Sequence, residues 1–113
     1  MSNSAFPHRR ATAIAALADL GMRIGDRVLI MLPDGPGFAE LITCVEEEGG
    51  VPLPLSPQLS AQEVARVAAA ARARLVLIPV DRIPALADLS AEPVLMNDPQ
   101  GPWAAGFRLP ADG

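Results

Sequence analysis

Residues 25–55 read GDRVLIMLPDGPGFAELITCVEEEGGVPLPL. Arg27–Leu32 is a short apolar run without alternation, the composition of a parallel strand buried on both faces. Pro33-Asp34-Gly35-Pro36-Gly37 interrupts it. Asp34 is placed to cap a following helix, and Pro36 suits a first helical turn, where its missing N–H would be unpaired in any case. Phe38, Leu41, Ile42 and Val45 then recur at i, i+3, i+4 and i+7. A helix over Gly37–Glu48 therefore presents one apolar stripe, with Glu40, Glu46, Glu47 and Glu48 off it. Gly49-Gly50 stops the helix and Val51–Leu55 returns as a second strand. This is one βαβ unit, of a kind whose crossover is right-handed in nearly all known cases, and it begins an open α/β sheet.

Upstream, the spacing predicts a helix over His8–Leu20 with Ile14, Leu17 and Ala18 on one face, ended by Gly21 in a left-handed cap. Arg9-Arg10 before an alanine run resembles an export signal, but alanine is a strong helix former and weakly apolar, so an ordinary surface helix is the better reading. Downstream, Ser56–Leu59 is a connecting turn, because Pro57 pushes Ser56 out of helical space. Ser60 and Glu63 form a capping box, each side chain satisfying a backbone N–H of the other, and open a helix over Ser60–Ala73 whose inner face is Val64, Val67, Ala68 and Ala71. Leu75–Pro79 is a third buried strand. Asp81–Leu89 reads as a short helix, with Pro84 tolerable only in its first turn. Pro93–Met96 is a candidate fourth strand. From Asn97 glycine and proline are dense and periodicity is lost, so 97–113 is read as a loop or tail whose Trp103 and Phe107 pack against this domain or a missing one. The expectation is a single α/β domain over 1–96, a small three-layer open parallel sheet in βαβαβ order, followed by a Pro/Gly-rich tail.

A chain of 113 residues, half of them apolar, suffices for one domain. The net charge of −4 and the absence of a basic run longer than Arg9-Arg10 argue against nucleic acid as a partner. All nine basic residues are arginine; lysine is absent. Cys44 is the sole cysteine, which excludes an internal disulfide and a cysteine-built zinc site and fits a reducing, cytoplasmic setting. No apolar run approaches the roughly 20 residues of a membrane helix.

Several of these residues resemble the N-terminal part of the AMP-forming acyl- and aryl-CoA synthetases, the adenylate-forming ligase superfamily. The matching series is Leu20-Gly21, Gly25-Asp26-Arg27-Val28, Pro33-Asp34 with Phe38, Gly49-Gly50 and Pro52-Leu53-Pro54-Leu55, then a capped helix leading to Ala73-Arg74-Leu75-Val76. The likeness runs over roughly Ala11–Asp81 in family order and spacing. Glu46-Glu47-Glu48 departs from it, standing where such proteins tend to be apolar or basic. The resemblance implies the fold of the ligases' N-terminal subdomain and, for a complete member, ATP, magnesium and CoA. It also implies a Ser/Thr/Gly-rich phosphate loop ending Pro-Lys-Gly and a lysine that stabilises the acyl adenylate. Nothing in this sequence matches the loop, and with no lysine neither lysine role can be filled. No catalytic, cofactor-binding or metal residue is therefore expected, and no cofactor for this chain alone.

Other candidates are weaker. Asp34-Gly35-Pro36-Gly37 sits where doubly wound folds place phosphate sites, but it lacks G-x-G-x-x-G spacing and carries an anion, which points to a structural turn. His8 has no neighbouring acid or nucleophile, the reading of a solvated helix residue. Cys44 is a packing residue whose thiol the following carboxylates would push up. Glu46, Glu47 and Glu48, consecutive on a helix, spread around its axis rather than converge on a cation. The leading functional reading is a truncated or split N-terminal part of an ATP-dependent fatty-acid or acyl-CoA ligase, inactive alone and associated with a separately encoded ligase remainder or a second copy. Its rival is a non-catalytic α/β interaction module that uses an exposed edge or the tail. A small enzyme of another type ranks third.

Overall fold

The structure, a computed structural model, describes residues 5–89, 93–98 and 101–109, without the side chains of residues 5–9 and 98. Its elements in chain order are α1 (Ala5–Asp19), β1 (Arg27–Ile30), α2 (Pro36–Glu47), β2 (Val51–Pro54), α3 (Ala61–Ala71), β3 (Ala73–Pro79), two short 3₁₀ turns (Val80–Arg82 and Pro84–Leu89), β4 (Val94–Asp98) and β5 (Gly101–Arg108). The five strands form one sheet in the order β2-β1-β3-β5-β4. β1 pairs in parallel with both β2 and β3, with Val28 opposite Pro52 and Leu75. The expected βαβαβ unit is thus present, with three strands parallel and two helices crossing between them.

The helices lie on opposite faces, because β2 lies on one side of β1 and β3 on the other. On one face Leu41, Cys44 and Val45 of α2 and Leu17 and Leu20 of α1 pack on Val28, Ile30, Leu75 and Leu77. On the other, Val64 and Ala68 of α3 pack on Leu29, Met31, Val76 and Ile78. Strand residues of alternate parity thus bury themselves in two different cores, which is why Arg27–Leu32 reads as continuously apolar.

The chain beyond Asn97 departs from expectation. Gly101–Arg108 is a strand rather than a loop, and it lies inside the sheet, antiparallel to β3 on one side and to β4 on the other. It is the one strand running against the other four. Phe107 is 1% exposed and sits in the second core, while Trp103 packs at the rim of the first. Gly106, which as a glycine argued against a strand, is required there: a Cβ at this position would lie 2.5 Å from Leu20 Cδ1 and 2.9 Å from Leu77 Cδ2. The sheet is therefore mixed at this end rather than wholly parallel. Residues 99–100 and 110–113 of the expected tail lie outside the described residues.

Local signals explain most boundaries. α1 ends as expected, with Gly21 left-handed at φ 77°, its N–H on the Ala18 carbonyl and that of Met22 on Leu17, the paired bonds of a Schellman cap. Gly49 and Gly50 close α2 in the same pattern, the Gly49 N–H on the Glu46 carbonyl and the Gly50 N–H on Val45. The inner face of α1 is Ala13, Ala16, Leu17 and Leu20 rather than Ile14, Leu17 and Ala18, since small alanines let the helix lie close to the sheet. The α2 cap also differs. Gly35, not Asp34, is the N-cap, with no side-chain bond, and its φ of 154° and ψ of −176° fall in a region open essentially to glycine alone. Asp34 is exposed one residue too early to cap. The buried face of α2 is Glu40, Leu41, Cys44 and Val45, which leaves Phe38 and Ile42 half-buried and corrects the placement of Glu40 off the stripe.

Candidate functional site

In an α/β sheet the place to look is beyond the carboxyl ends of the parallel strands where the chain order switches, here between β1 and β3. α2 leaves the end of β1 on one face, and α3 crosses the other face from β2 to the start of β3. The segments at the mouth of the switch point are 31–35 and the 3₁₀ turn Val80–Arg82. They present Asp34 and Asp81, both exposed, and Arg82, half-buried. The Arg82 guanidinium is turned aside to the Leu59 carbonyl, which fixes the turn before α3. Pro36 at the start of α2 removes one of the N–H groups a helix N-terminus would otherwise offer an anion. Two carboxylates and an engaged arginine do not fit a triphosphate.

The sequence candidates are dispersed. Asp34-Gly35-Pro36-Gly37 is the structural turn into α2, and Gly37 is held close to the Trp103 ring, whose carbon would be 3.0 Å from a Cβ there. His8 lies in α1, its side chain outside the described residues. Cys44 is 2% exposed within the first core, and burial pushes its thiol above the usual value of 9.0; Arg10 opposes this and Glu47, Glu40 and Glu48 reinforce it. A buried thiol so placed is inert. Glu46, Glu47 and Glu48 form an exposed face, and Glu47 pairs with Arg10 of α1. Among the described residues no three His, Cys, Asp or Glu side chains converge on a point that could hold a metal ion. A shallow groove of about 350 Å³ runs along α3 between Leu59, Glu63, Arg66, Val67 and Ala70.

What the recognisable residues do instead is join elements. Asp26 makes three bonds that tie the turn at Arg23 to β2: its Oδ2 accepts from the Arg23 N–H at 2.8 Å, its N–H donates to the Arg23 carbonyl, and its carbonyl accepts from Val51 N–H at 2.8 Å. Gly25 N–H reaches the Gly49 carbonyl at 2.8 Å. Gly25-Asp26 and Gly49-Gly50 are therefore two halves of one knot at the amino ends of β1 and β2. Two arginines close helix ends at the same end of the strands, on opposite faces of the sheet: Arg27 donates to the Ala71 carbonyl of α3 at 2.7 Å and Arg108 to the Leu20 carbonyl after α1 at 3.1 Å. Each supplies a donor, and a positive charge, to the carbonyl-rich end of a helix. Sequence reading missed this use of Arg108 because it followed from placing β5.

The sequence profile of the AMP-binding enzymes matches residues 7–103. The chain belongs to the AMP-binding enzyme family. Its fold is that of the N-terminal region of adenylate-forming ligases. The inhibitor-bound N-terminal domain of FACL13 from Mycobacterium tuberculosis superposes over 81% of this chain with a TM-score of 0.64 at 23% identity. The anthranilate CoA ligase AuaEII, in complex with anthranoyl-AMP, gives 74%, 0.62 and 18%. The NpsA N-terminal subdomain from Klebsiella oxytoca gives 72%, 0.59 and 20%. This AMP-binding family chain spans only 23%, 16% and 21% of those three chains.

Proposed function

We propose that this chain is the N-terminal part of an ATP-dependent, AMP-forming acyl-CoA ligase, truncated or separately encoded, that supplies framework and not chemistry. The observation carrying this reading is the coincidence of the family fold with a lysine-free sequence. The residues held in common with the ligases stitch β1, α2 and β2 together, and the mouth of the β1–β3 crevice presents carboxylates where a nucleotide would need donors. In the complete enzyme ATP, magnesium and CoA would be handled by the remainder, and fatty-acid activation in the cytoplasm is the setting proposed. No described helix is long and apolar enough to cross a membrane. The partner proposed is the rest of the ligase or a second copy of this chain.

Purified alone, the chain is expected to exchange no pyrophosphate into ATP with any carboxylic acid, and ATP is expected to leave its melting temperature unchanged. Adenylate formation by the chain, free of contaminating ligase, would overturn the proposal.

One observation favours the second reading, a non-catalytic interaction module. β5 brings Phe107 into the core, and among the described residues Ile24, Val51 and Leu95 are the exposed large apolar side chains. A monomer in sedimentation at micromolar concentration, with no dye-accessible apolar surface, would move the balance toward that module.

A further inference from the structure

We draw no further inference here: the strongest candidate, the outer edge of β4 at one side of the sheet with Leu95 exposed upon it, carries nothing because nothing in the structure shows what covers it.

Discussion

Gly106 lies where β5 passes under the end of α1, and the space for a side chain there is already taken by Leu20 and Leu77, 3% and 0% exposed. Gly106→Ala should therefore push two core leucines off their rotamers and cost about 1–3 kcal/mol, read as a lowered urea midpoint. A midpoint equal to wild type would mean that α1 stands further from the sheet. The sequence pattern puts Phe38 on the core-facing stripe, where truncation to alanine would cost about 3–5 kcal/mol. Half-buried at the rim, it should cost about 1–2 kcal/mol, whereas Leu41→Ala, with Leu41 fully buried, should cost about 2–5 kcal/mol. The reverse order would place the helix on its other face. Glu63 titrates in the folding equilibrium. Its carboxylate accepts from the Ser60 N–H, which holds it below the ordinary 4.5, with Arg66 helping in lesser degree. A folded value below the unfolded one gives stability that is present above the unfolded value and lost as pH falls through the folded one. Glu63→Gln should accordingly narrow the difference in melting temperature between neutral and acid solution. An unchanged difference would show that the box is not closed in solution.

β2 and β5 show how element-level signals succeed and fail. β2 is an edge strand written Val51-Pro52-Leu53-Pro54. The N–H groups of Val51 and Leu55 point inward to the Asp26 and Ile30 carbonyls, so the alternate positions face outward, and both are proline. The outer edge thus offers no donor from Val51 to Leu55, a device that blocks pairing with another chain. Replacing Pro52 and Pro54 together by threonine should leave the fold intact and raise the rate of aggregation, measured by light scattering. A rate equal to wild type would show that the edge was never exposed to partners. These prolines were easy to read as a strand because the neighbouring apolar residues and the glycine pair set limits on both sides. α3 was equally plain, since its capping box is a local bond pattern: Ser60 Oγ accepts from Glu63 N–H at 3.1 Å and Glu63 Oε1 from Ser60 N–H at 2.8 Å. β5 was not. Gly101-Pro102 and Gly106 are turn residues by any local criterion, and each is acceptable only because of a neighbour distant in sequence: Gly106 because α1 crosses it, and β5 itself because β3 and β4 await it on both sides. The N-cap of α2 failed differently, since aspartate and glycine are both good caps and only the Gly35 backbone decides between them.

Across the whole molecule, the boundary drawn from sequence after residue 96 would cut through β4 and part it from the strand that holds it. β4 pairs with β5 alone among the described strands, and β5 fills the gap between β3 and β4. A chain shortened to 1–96 should consequently lose cooperative unfolding, with broad far-ultraviolet dichroism changes on heating, while the full chain melts in one transition. A sharp transition in the shortened chain would restore the tail reading. The absence of lysine is legible from composition, because a missing residue type needs no fold to be noticed; the closure of the core is not, because it depends on residues far apart. That distance also sets a timetable. Leu20 and Arg108, bonded to each other, are separated by 88 positions. While the protein is being made, α1 therefore has a bare carbonyl end and an uncovered leucine until β5 leaves the ribosome. The parallel unit can form early, but its first core stays open to chaperones and to stray contacts until β5 arrives, and slow translation of the β4–β5 region would lengthen that exposure.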